Sequence, residues 1–246
     1  MSLGSGAVPG AAWQNPNGVD ALGVVWASIL PSPPRLRERR AYKLARIPHM
    51  PVLLPASDHQ IAMISCLHAL GWEGDAEAAG DQLRVAGQSL TGRLSSLGPL
   101  AYEDAVDLLH CLVPQLCALE KRGLGMPAVE PEDVAVLEGG YYLLAGLDRA
   151  WEADERGDLI RRAPPVARVG AQPGTLGGSC LAPELRGQVR LPVRCTRGAT
   201  AYSVGALMRE VLGLKETLAP LAGSPLYYFI GRTQRAEPAA RRLFFI

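Results

Sequence analysis

The side chains most often recruited for metal or nucleophilic chemistry are spaced here for neither. Five cysteines, Cys66, Cys111, Cys117, Cys180 and Cys195, are odd in number and scattered without a C-x-x-C, so they set up neither a disulfide framework nor a zinc site. Cysteine usage of this kind points to a reducing, intracellular setting, cytoplasmic with the nucleus as the alternative. His49, His59, His68 and His110 make no H-x-H or H-E-x-x-H pattern and read as packed or surface side chains. Charge is balanced at 25 Lys+Arg against 24 Asp+Glu, so the bulk field favours neither nucleic acid nor an anionic membrane. The run Arg35-Leu36-Arg37-Glu38-Arg39-Arg40 is the local exception; it reads as a solvated hairpin tip rather than a docking patch for an acidic partner. No uncharged apolar run reaches the length of a membrane span, and the first thirteen residues lack the charged-then-apolar layout of a leader and read as flexible.

At 246 residues and 48% hydrophobic, the chain can bury a full core as one large domain or two lobes. The stretch Met126 to Asp148 organises the rest. Short apolar runs at Val134 to Leu137 and Tyr141 to Ala145, split by Gly139-Gly140, predict a hairpin. Ahead of it Ala105, Leu108, Leu109, Leu112, Leu116 and Leu119 recur at helical spacing and run into Lys121-Arg122-Gly123, which predicts a long helix with a regular C-terminus. Pro114 lies inside that helix and should remove one backbone hydrogen bond. Further upstream, Gly18 to Ile47 reads as a β-hairpin. Ser57 or Asp58 should cap a helix whose Ile61, Ile64, Leu67 and His68 share a face. The segment from Gly71 to Gln88 is small-residue-rich and looks too short for two good strands plus a standard hinge, and Ser89-Leu90 should open a short helix.

Met126-Pro127-Ala128-Val129-Glu130-Pro131-Glu132-Asp133, then the hairpin, then Gly146-Leu147-Asp148 resemble the catalytic loop and magnesium loop of the protein kinase superfamily. The separation of the two motifs matches without a gap. Other pieces follow in the family's order. Gly18 to Val25 resembles the glycine-rich loop with Asp20 at its middle glycine, and Ala41-Tyr42-Lys43 resembles the strand carrying the phosphate-holding lysine. Gln60 falls at the helix glutamate that pairs with that lysine, Ala182-Pro183-Glu184 matches A-P-E, Thr200 to Gly213 resembles the buried large-lobe helix, and Glu237 to Arg241 resembles D-P-x-x-R.

The resemblance implies an α+β, two-lobed kinase-like fold: a trimmed, β-rich small lobe over residues 1–88 and an abbreviated helical large lobe over 89–246. It also implies which chemistry is missing. Ala128 stands at the aspartate that accepts the substrate proton, Glu130 reverses the charge of the loop lysine, and Gly146 stands at the metal-holding aspartate. Opposite charges about 4 Å apart attract by roughly 4 kcal/mol at an effective dielectric near 20, so a reversal costs about twice that before screening. Thr200 replaces the aspartate that braces the loop, and Glu184 with Arg241 is the implied structural ion pair. Lys43 and Asp133 remain as vestiges of a nucleotide site; Asp148 becomes the metal ligand if the register slips by two, and Asp20 or Glu132 is available for repurposing. The expectation is a pseudokinase without catalytic residues, cofactor or metal, acting as a scaffold or allosteric regulator for protein partners such as an active kinase or another signalling protein. The alternative is a nucleotide-binding or atypical kinase-fold enzyme that uses Lys43 and Asp133, with weak ATP binding.

Overall fold

A computed structural model of the chain describes residues 50–162, 178–188, 190–214, 216–241 and 243. The hairpin expected over Gly18 to Ile47, with the glycine-rich run and Lys43, lies outside the described residues. In chain order the elements are β1 (Met50–Pro55), α1 (Asp58–Ala69), β2 (Ala76–Ala79), β3 (Gln82–Ser89), α2 (Leu90–Leu97), α3 (Tyr102–Glu120), β4 (Leu124–Gly125), β5 (Val134–Leu137), β6 (Tyr141–Leu144), β7 (Trp151–Ala153), β8 (Leu159–Arg161), β9 (Val193–Cys195), α4 (Gly198–Val211) and α5 (Pro225–Thr233). The fold is α+β, and among the described residues it has two antiparallel sheets.

The larger sheet runs β1-β3-β5-β6, with β2 also on β3. Alternation fixes its register: β3 turns Leu83, Val85 and Gly87 inward and Gln82, Arg84 and Ala86 outward, the period that buries one face. Gly87 is required where it stands, because a Cβ there would meet the Val136 carbonyl oxygen at 2.5 Å. Here the structure has no hinge, since β3 runs straight into α2 at Leu90, but it does have strands. The segment after Gly71 does form two strands, β2 and β3, because the turn at Gly80-Asp81 brings them together with Ala79 opposite Gln82, and a positive φ of 67° at Gly80 lets the chain reverse there. The strand directly before α1 is β1, downstream of Ala41-Tyr42-Lys43.

Ser57 caps α1, its hydroxyl accepting from the Gln60 N–H, and Ser89 caps α2 in the same way through Gly92. The face of α1 differs from the expected one. Gln60, Met63, Ile64 and Leu67 are buried while Ile61 is 51% exposed. In α3 the expected stripe is buried, but so is every residue from Asp107 to Leu119; this is a central helix enclosed on all sides, not a surface amphipath. Helical geometry continues through Pro114.

One buried cluster joins Leu54, Met63 and Val85 to Leu108, Leu112, Leu143, Val204, Leu207 and Phe229. It runs without a break across residues 88 and 89, since β3 pairs with β1 through Gln82 to Gly87 and with β5 through Gly87 to Ser89. The smaller sheet, β4-β7-β8-β9, covers a second cluster around Trp151, Leu159, Leu181, Leu185 and Val193. No helix among the described residues is long and apolar enough to cross a membrane.

Candidate functional site

The loop from Gly125 to Asp133 is held at both ends. α3 closes at Lys121, Gly123 turns the chain two residues later at φ 72°, a left-handed conformation glycine tolerates, and Gly125 pairs with Trp151 across β4 and β7. In its middle, Val129 N–H donates to Ser203 Oγ at 2.5 Å, and the Ser203 hydroxyl lies 3.3 Å from the Val129 carbonyl. Ser203, on the buried face of α4, therefore braces the loop one turn beyond Thr200, which is itself buried.

Pro131 to Asp133 form a single 3-10 turn closed by reciprocal bonds. Asp133 N–H donates to the Glu130 carbonyl at 2.9 Å, and Glu130 N–H donates to Asp133 Oδ2 at 2.8 Å. The Glu130 side chain, 2% exposed, also reaches the segment after Gly178. It accepts from the Ser179 hydroxyl at 2.8 Å and from Cys180 N–H at 3.0 Å. The approach is so close that a Cβ on Gly178 would collide with Glu130 Oε1. Ser179 Oγ is also 2.5 Å from Glu210 Oε2, and the Cys180 thiol lies 3.4 Å from the same oxygen.

Ligand atoms of Glu130, Cys180 and Glu210 lie within 4.8 Å of one another, close enough to consider a metal. Burial first, then the carboxylates of Glu130 and Glu210, push the Cys180 thiol far above its ordinary range, so with no cation beside it the thiol keeps its proton and can donate to Glu210. The donors here are spent on one another and on Ser179. This is a hydrogen-bonded knot that ties the loop to the segment before Ala182-Pro183-Glu184.

Asp133 carries the other charge of interest. It is 3% exposed, and Arg149 Nη1 reaches its Oδ2 at 2.5 Å. Backbone bonds deliver that arginine: Ala145 and Gly146 N–H both donate to the Asp133 carbonyl, at 2.7 and 3.1 Å, and Leu147 to Arg149 then form one 3-10 turn. A Cβ on Gly146 would collide with Asp133 Oδ1. The magnesium ion that the kinase resemblance implies does not fit these residues. Position 146 has neither a carboxylate nor room for one, and the Oδ2 lone pairs already serve an amide and a guanidinium. Asp148 and Glu132 are exposed and lie outside this arrangement.

The open edge of β6 is closed by two glutamines. Gln115 Nε2 donates to the Tyr142 carbonyl at 2.8 Å and Gln115 Oε1 accepts from Leu144 N–H at 2.8 Å, while Gln60 Nε2 donates to the Leu144 carbonyl at 3.0 Å. Among the described residues no strand pairs with this edge, and side-chain amides take its backbone groups instead. Ala128 is half-buried against the second core cluster, with a methyl group that can accept no proton. Arg241 donates to both oxygens of Glu184, at 2.5 and 3.0 Å.

Arg149, Ser203 and Gln115 were not legible as site residues. Val129 and Ser203 are 74 positions apart, and no local spacing marks such a bond. Comparison with protein-family models and with curated proteins returns no match to this chain.

Proposed function

We propose that this chain is a kinase-fold protein that works without phosphoryl transfer, as a protein-binding scaffold or allosteric regulator. The observation that carries the reading is the loop at Ala128 to Asp133. Where the resemblance calls for a proton acceptor and a phosphate-steadying lysine, there is a methyl group and a buried carboxylate committed to Ser179 and Cys180. Phosphoryl transfer depends on positioning and on neutralising phosphate charge, and a buried anion beside the loop opposes both. The order of elements adds support: a helix, two antiparallel strands, a long buried helix, a braced loop, a hairpin and a second buried helix follow as the resemblance requires. Its partners would be other proteins, an active kinase or signalling protein among them, met from an intracellular, cytoplasmic setting.

Differential scanning fluorimetry and a phosphate-transfer assay, both with Mg-ATP, test the reading. Little stabilisation and no transfer are expected. A large thermal shift with transfer that Lys43→Ala abolishes would replace it with the alternative, a nucleotide-using enzyme of altered chemistry.

A further inference from the structure

We infer that Arg149 is the built-in counter-ion of Asp133, taking the carboxylate oxygen a hard divalent cation would need and keeping Mg2+ or Mn2+ off it for as long as the guanidinium is there. A carboxylate that is 3% exposed must be compensated by hydrogen bonds and an opposite charge, or it would not remain ionised. Asp133 has both on one oxygen, Glu130 N–H at 2.8 Å and Arg149 Nη1 at 2.5 Å. The Arg149 side chain is 19% exposed and that of Asp133 5%, so little solvent screens the pair. A magnesium-sized ion needs near-octahedral oxygen ligands at about 2.0–2.1 Å and keeps several waters. Meeting that demand at Oδ2 would require expelling the arginine.

The arginine is difficult to expel, because its competitor must act from bulk solution while it is covalently tethered. Arg149 comes three residues after Gly146, whose N–H, like that of Ala145, is bonded to the Asp133 carbonyl, and such a short tether gives a high effective concentration. Gly146 belongs to the same device: with no Cβ, it lets Asp133 Oδ1 lie where a side chain would otherwise be. Asp133, Gly146 and Arg149 make the ion pair whatever the ancestry of the fold; that a divalent cation would compete for it rests on the kinase-like reading.

Mn2+ titration of the full chain, read by water-proton relaxation, tests it with wild type, Asp133→Asn, Arg149→Met and the double variant. Wild type and Asp133→Asn should give superimposable titrations, Arg149→Met should gain one weak Mn2+ site per chain together with a Mn2+-dependent rise in Tm, and the double variant should lose both. Mn2+ binding by wild type that Asp133→Asn removes would overturn the proposal. So would a folded Arg149→Met protein that gains no site. Should Arg149→Met fail to fold, the comparison of wild type with Asp133→Asn still decides, since it needs no change at Arg149.

Discussion

Arg241 grips Glu184 with two nitrogens, Nη1 at 2.5 Å and Nη2 at 3.0 Å, while its guanidinium carbon lies 4.9 Å from the centre of the Tyr202 ring. The Nε and Nη2 protons also reach the carbonyls of Arg235 and Ala236. The last described turn of the chain is thereby fastened to the segment after Cys180 and to α4.

Removing the anion from this arrangement leaves a buried cation. Glu184→Ala is expected to cost about 2–3 kcal/mol, below the full figure for a buried pair because the Glu184 side chain is 29% exposed while that of Arg241 is not exposed at all. Arg241→Lys should be almost as damaging, since an ammonium cannot make the fork or stack on Tyr202. Urea unfolding of the two variants measures both.

Gln115→Leu should be the more damaging of the two possible changes to the edge of β6. The substitution leaves the Leu144 N–H and the Tyr142 carbonyl without their amide partner, at about 1–3 kcal/mol for each buried group. Chemical denaturation gives the sum, and hydrogen exchange at Leu144 should accelerate more than at Val136, which lies inside the sheet.

Restoring an acid at position 146 should harm the protein, not revive it. Even Gly146→Ala brings a methyl group into Asp133 Oδ1, a clash worth about 1–3 kcal/mol. Gly146→Asp adds like charge to that clash and should lower the urea midpoint further. A Gly146→Asp protein as stable as wild type would contradict the close approach.

Alkaline pH should destabilise the fold through its buried thiols. Burial pushes Cys66 up to about 11 and, with help from Glu184 and Asp158, Cys195 up to about 12, from an ordinary value of 9.0. In a group raised on folding, the unfolded chain loses its proton first. The stabilisation is therefore complete below pH 9 and declines as pH climbs through the folded-state values. Urea midpoints should fall steadily above about pH 9, and Ellman's reagent should leave both thiols untouched in the native protein at neutral pH.

Local signals sufficed for the hairpin at Gly139-Gly140, for helices opening at Ser57 or Asp58 and at Ser89-Leu90, and for the apolar stripe of α3. Each is written in neighbouring residues: turn glycines, a hydroxyl followed three positions later by a bare amide, or a 3.6-residue repeat. The same rules failed where the signal was short. Strands β4, β7, β8 and β9 run two or three residues each, too few for alternation to register, and the second sheet was invisible until its strands were seen side by side.

The amino-acid sequence by itself determined which chemical groups stand in the loop: a methyl group at Ala128, a carboxylate at Glu130 and nothing at Gly146. Tertiary structure decided what those groups touch. Glu130 turns to Ser179 and Cys180, Asp133 to Arg149, and Val129 to Ser203, each choice set by which distant element packs against the loop. A buried charge takes the best partner that folding brings within about 3 Å, and that partner is chosen by the path of the whole chain, which leaves no periodic trace in the residues on either side.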